Sequence, residues 1–109
     1  MSSLASKPLF LINIFTPKPG RLDDFLAAQL EGVTRMGEIP GLNASRLYQA
    51  EDGSRAILVA GFDSLEAHQA FQDSPVFQAE RAKLLPLLEG AQPAFYRLIR
   101  DRDNERPAG

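Results

Sequence analysis

The chain has 109 residues, 44% of them hydrophobic and 24% charged, and a net charge of −2; this is the size and balance of one soluble globular domain. That charge gives no reason to expect nucleic acid, whose binding needs clustered Lys and Arg to displace counterions. Cysteine is absent, which excludes disulfides, a thiolate nucleophile and Cys-ligated zinc.

In chain order, MSSLASKP carries one charge and no apolar stretch of the kind a secretory signal needs, so a cytoplasmic location is expected. LFLINIFT, residues 9 to 16, is rich in Ile, Leu and Phe and is closed by the turn-forming PKPG. It reads as a buried strand with Asn13 inside it. Its longest apolar run, Leu9 to Ile12, is too short to span a bilayer. Leu22, Phe25, Leu26, Leu30, Val33 and Met36 then recur at helical spacing and predict an amphipathic helix over 19–36. Pro19 suits its first turn, and Pro40-Gly41 ends the segment. Gln29 falls inside that stripe, an unexpected place for an amide.

Residues 42 to 50 and 55 to 62 predict two strands joined by EDGS, whose Asp-Gly is a short hairpin signal. On the first strand Leu42, Ala44, Arg46 and Tyr48 are expected to share a face, and on the second Leu58, Ala60 and Phe62. Asp63 with Glu66 resembles a capping box opening a helix from about Ser64 to Gln72. Pro75 opens a further helical piece to about Leu85, and PAFYRLIR, residues 93 to 100, reads as the last strand. The tail DRDNERPAG is charged and lacks an apolar anchor. The expected organisation is one domain over 8–100 with flexible ends at 1–7 and 101–109.

The order β-α-β-β-α-β is the split pattern of an α+β, ferredoxin-like sandwich. Both helices cover one sheet face. The other, with Phe10, Ile12, Ile14, Ile57 and Val59, is costly to leave in water; sheet-to-sheet homodimerisation is the simplest cover.

LINIFTPKPGRLDDFL, followed by IPGL, the EDG hairpin and FDSLEAHQAFQDSPVF, resembles the antibiotic biosynthesis monooxygenase family over roughly residues 8 to 100. The resemblance implies a dimeric α+β barrel. It also implies, for many members, oxygenation of phenols, anthrones or quinols by dioxygen without a cofactor; other relatives degrade haem or act as isomerases. Asn13 matches the first-strand asparagine that the haem-degrading branch uses near its ligand. Arg81 matches an arginine that polyketide oxygenases of the family place at their cleft. The departures are that Phe62 stands where those oxygenases often have tryptophan and Leu58 where they have asparagine. Tyr48 stands at a histidine position and His68 at a tyrosine position. The haem branch's axial histidine falls near residue 81, which here is Arg, so haem degradation is not expected.

His68, the only histidine, has two readings: a partly buried packing residue, or a general base whose ordinary pKa near ~6.5 suits abstraction of a phenolic proton. Its spacing from Leu65 and Phe71 turns it toward the sheet. Asn13 needs a partner because a bare buried amide is costly; it shares a face with Leu9, Leu11 and Phe15 if the strand alternates regularly. In the resulting constellation His68 is the base, Asn13 and Tyr48 are donors and Arg81 is a countercharge near the entrance. Gln29 and an apolar wall of Phe15, Phe25, Phe62, Phe71 and Phe77 bind the substrate, and His68 and Asn13 open onto one cavity. One histidine without nearby carboxylates makes no metal site, and no cofactor is called for: the expected partners are a small aromatic substrate, dioxygen and a second copy of the chain. A non-catalytic ligand-binding dimer and a ketone isomerase use the same cleft without oxygen.

Overall fold

The structure, a computed structural model, describes residues 4–102. A 3-10 turn, Leu4–Ser6, precedes β1 (Leu9–Pro17), α1 (Leu22–Met36), β2 (Leu42–Gln49), β3 (Ala56–Phe62), α2 (Leu65–Gln72) and α3 (Pro75–Leu84). A second 3-10 turn, Leu85–Leu87, leads into β4 (Leu88–Arg97). The four strands form one sheet in the order β2-β3-β1-β4, every neighbouring pair antiparallel. This is the expected α+β, ferredoxin-like arrangement, its second helical unit broken in two at Asp73-Ser74.

Several local expectations give way to competing interactions. Lys18 to Arg21 close a turn, with the Arg21 N–H donating to the Lys18 carbonyl at 2.9 Å and Gly20 at φ 77°, a conformation glycine adopts without strain. Pro19 is thereby used in the turn, and α1 starts at Leu22. Asp63 does not cap α2: it accepts from the Asn43 side chain at 3.0 Å, and the Ser64 hydroxyl caps instead, accepting from the Ala67 N–H at 3.0 Å. A bulge between Leu42 and Ala44 flips the pleat of β2. Leu42 and Leu47 therefore pack under the helices, while Ala44, Arg46 and Tyr48 pair with Gly61, Val59 and Ile57 on the far face.

The last strand spans 88–97, not 93–100. The glycine and polar residues before Pro93 stand outside the expected strand, but β4 is an edge strand, where Pro93 is tolerated because one side of the ladder is unpaired. Residues 4–7, expected as a loose end, form a turn held to β4: Arg97 Nη1 donates to the carbonyls of Ala5 and Lys7 at 3.3 and 2.9 Å. Residues 1–3 and 103–109 of the expected flexible ends lie outside the described residues.

The core between helices and sheet falls into two clusters. Leu9, Ala60 and Phe62 form one, joined by Leu11, Leu42, Ala67 and Phe71. Phe15, Phe25 and Ala56 form the other, joined by Leu22, Leu26, Leu47 and Leu58. On β1 the residue between Leu11 of the first and Phe15 of the second is Asn13. Phe10, Ile12, Ile14, Ile57 and Val59 point to the opposite face, as the alternation required, and are only partly buried within one chain.

Candidate functional site

The ends of the helix–sheet layer are apolar and its middle is polar. At one end α2 presses His68 onto the sheet, leaving it 8% exposed. Its ring meets Phe62 edge-on at 5.0 Å and Phe95 at 4.6 Å, with interplanar angles of 87° and 88°. Phe62 pairs with Leu9, and Phe95 with Leu11, so the imidazole bridges β3 to β4 across that part of β1. Asn13 is the next inward residue, roughly 6.6 Å along the strand at the usual rise. The aromatic series continues from Phe62 to Phe71 at 6.1 Å and from Phe71 to Phe77 at 4.7 Å.

At the other end Phe15 and Phe25 stack at 4.9 Å with their planes tilted by 49°, which pins the start of α1 over the end of β1. The helix then runs back along the strand. Gln29 stands one helical turn beyond Phe25 on α1. Asn13 Oδ1 and Gln29 Oε1 are closed off from solvent and have no hydrogen-bond partner.

The helical stripes differ from the expected ones. Leu30 is 60% and Val33 43% exposed, whereas Gly32 is buried. Leu65 is also exposed, so the inward face of α2 is carried by Ala67, His68 and Phe71. The roll of α1 is set at its far end by a carboxylate clamp that the sequence reading did not find. Glu80, buried on α3, accepts from Arg35 of α1 twice, from Nη2 at 2.8 Å and from Nε at 3.0 Å, and from Lys83 Nζ at 3.3 Å. A Cβ on Gly32 would lie 2.9 Å from Glu80 Oε1, so the glycine makes room for the carboxylate. A carboxylate and an arginine 45 residues apart carry no local sequence signal.

Two groups have altered proton affinity. Hydrogen bonds from Arg35 hold the Glu80 carboxyl down at about 2, with Lys83 adding to the effect. Burial pushes His68 below its usual value, because the imidazolium would lose its hydration.

Of the expected site residues, Phe62, His68, Phe71 and Phe77 form one continuous group, and Asn13, Gln29, Phe15 and Phe25 line the adjoining layer. Tyr48 is not among them: 51% exposed and paired with Ile57, it stands on the far face of the sheet. Arg81 is exposed on α3, beside buried Glu80. Phe95, missing from the expected set, makes the closer of the two ring contacts to His68; the misplaced last strand hid its register. Two open clefts, of about 580 and 450 Å³, border the 37–42 loop. The smaller is lined by Ile39, Ala67, Ala70, Phe71 and Val76 among others, and neither is lined by His68 or Asn13, so the expected shared opening is not in these clefts. Among the described residues no cluster of three or more His, Asp or Glu side chains could hold a metal ion, and no helix is long and apolar enough to cross a membrane.

The sheet order and the helical layer together define a small α+β, ferredoxin-like domain. Residues 8–83 match the sequence profile of antibiotic biosynthesis monooxygenase, and the chain belongs to that family. No curated protein matches it. Among solved structures it is similar to SnoaB, a cofactor-independent oxygenase from Streptomyces nogalater, at 15% identity over 91% of this chain and 100% of that one, with a TM-score of 0.80. It is similar also to the PA3566 protein of Pseudomonas aeruginosa, at 18% identity over 88% and 98% of the two chains and a TM-score of 0.75. The Rv0793 protein of Mycobacterium tuberculosis, at 23% identity over 90% and 99%, gives 0.70. At these identities the shared feature is the fold.

Proposed function

We propose that the protein is a cofactor-independent monooxygenase of a small phenol, quinol or anthrone-like substrate, acting as a cytoplasmic homodimer joined through the outer sheet faces. The observation that carries this reading is a desolvated histidine, neutral at neutral pH, set edge-on between two phenylalanines beside a first-strand asparagine. Family membership and the likeness to SnoaB support it.

His68 removes a proton from the substrate, whose electron-rich anion passes one electron to dioxygen. The resulting radicals combine to form a C–O bond. For an anthrone-like methylene, loss of the second C–H proton then breaks the O–O bond: one oxygen stays as a carbonyl and the other leaves as water. The protein supplies the base, a dry aromatic wall and an amide that holds the anion's oxygen. Tyr48 and Arg81 have no part in this scheme, given their outward positions. A second reading, a non-catalytic binder or a ketone isomerase, is favoured by His68 having no charged partner among the described residues.

Oxygen uptake with an anthrone or quinol separates these readings. The expected result is one dioxygen consumed per product formed, and a rate lowered roughly 10²–10⁴-fold in His68→Ala, the usual contribution of a general base. Absence of uptake above the uncatalysed rate across such substrates sinks the oxygenase, and undiminished uptake in His68→Ala removes the histidine from it.

A further inference from the structure

His68 is shut in. It is 8% exposed and lines neither open cleft, so a molecule that reaches the imidazole has to displace something first. The smaller cleft, of about 450 Å³, lies next to it on α2: Ala67, the residue before His68, and Phe71, one helical turn after it, both line that cleft. The same two residues pack against the buried cluster of Leu9, Ala60 and Phe62. Phe62 in turn meets the His68 ring at 5.0 Å. Ala67 and Phe71 therefore form the partition between the cleft and the aromatic group around the histidine.

The two halves of that partition differ in what they can do. Ala67 has no side-chain torsion that moves a heavy atom, and the 37–42 loop backs onto it: a Cβ on Gly41 would come 2.5 Å from the Ala67 Cβ. That half is fixed. Phe71 carries a ring on two rotatable bonds. Its backbone is held, because its carbonyl accepts from the Ser74 N–H at 3.0 Å and from the Ser74 hydroxyl at 2.7 Å. Motion there is confined to the side chain. The ring now rests against Phe62 at 6.1 Å and Phe77 at 4.7 Å. On its other side the cleft offers Met36, Ile39 and Val76, so swinging outward exchanges one apolar surrounding for another. The alanines at 67 and 70 leave the space beside the helix into which the ring turns.

We infer that the cleft bordered by the 37–42 loop and α2 is the entrance to His68, and that the Phe71 side chain is its door. The inference rests on the reading of His68 as the reacting group. It adds the route by which a substrate arrives and the residue that limits what passes. The competing route runs over the edge strand, past Phe95, which is 42% exposed and lies 4.6 Å from the imidazole.

The test reads access without any substrate. The chain has one histidine, so its acylation by diethyl pyrocarbonate, followed by the mass of the peptide that carries it, reports the reach of this ring alone. At about pH 8 the ring is neutral in every variant, which removes proton affinity as a cause of any difference. An open position populated ~10% of the time or less slows labelling in proportion, so Phe71→Ala is expected to raise the rate roughly tenfold or more. Ala70→Trp, which fills the cleft from an exposed position on α2, should lower it several-fold. Thermal midpoints are recorded alongside; where Phe71→Ala unfolds, Ala70→Trp decides alone. Unchanged labelling in Ala70→Trp overturns the inference. So does a rate that Phe95→Ala raises and Phe71→Ala leaves at the wild-type value, since the entrance then lies over β4. The oxygenase reading fails separately: labelling that follows both variants, in a protein that takes up no oxygen, sinks it and leaves the door standing. Oxygen uptake in a protein whose labelling ignores both variants does the reverse.

Discussion

At the scale of single residues, the imidazole of His68 is held by ring edges rather than by hydrogen bonds. Its neighbours Phe62 and Phe95 offer no acceptor for a second proton, so burial acts unopposed and favours the neutral form. The linkage follows from the sign. A histidine whose folded pKa lies below its unfolded value of 6.5 binds its proton more readily in the unfolded chain. Its neutral burial therefore favours the fold above about pH 6.5, and that contribution is lost as pH falls through the folded value. Because the chain has one histidine, its ring protons give an unambiguous NMR titration. The midpoint is expected below 6.5, and a midpoint above it would show a carboxylate or other acceptor at the ring. The same midpoint should appear as the acid limb of any oxygenase activity, since only the free base can take the substrate proton.

At the scale of elements, α1 and α3 are registered by charge as well as by apolar packing, with Leu84 joining the cluster around Phe25. The Glu80 carboxylate sits against Gly32, gripped at both oxygens by Arg35; such bidentate pairs fix geometry as well as charge. Its depressed pKa, about 2 against 4.5, makes the clamp an acid-sensitive one. The stabilisation is fully present above about pH 4.5 and is lost as pH falls toward 2. Thermal unfolding followed across that window should show a falling midpoint that Glu80→Gln flattens. An equal slope in the variant would place the acid sensitivity elsewhere.

At the scale of the whole molecule, both helical units lie on one side of a four-stranded sheet. The far side presents Phe10, Ile12, Ile14, Ile57 and Val59, flanked by the exposed rings of Tyr48 and Tyr96. A contiguous apolar face of this kind marks an association surface. Sedimentation at micromolar concentration is expected to give a dimer. Ile12→Asp, which sets a charge in the middle of that face, should give a monomer that keeps its helical circular dichroism. A wild-type monomer at that concentration would defeat the proposed sheet-to-sheet association.

What the sequence determined by itself was set by neighbours along the chain. The alternation of β1, the Asp-Gly hairpin, Pro75 at a helix start, and the β-α-β-β-α-β order are all local patterns, and they suffice for the fold and family. The inward faces of Asn13, Phe15 and Phe62 follow from a period of two. The tertiary structure decided whatever depended on distant partners. The bulge that turns Tyr48 away from the helices answers to β3, and the edge position lets Pro93 and its polar neighbours pair as a strand. The roll of α1, which puts Leu30 and Val33 outside, answers to a carboxylate 48 residues beyond Gly32. Hydrophobic spacing predicts which residues a helix would choose to bury; close packing against a neighbouring element decides which ones it does bury, and here that decision left Leu30 and Val33 exposed and buried Gly32.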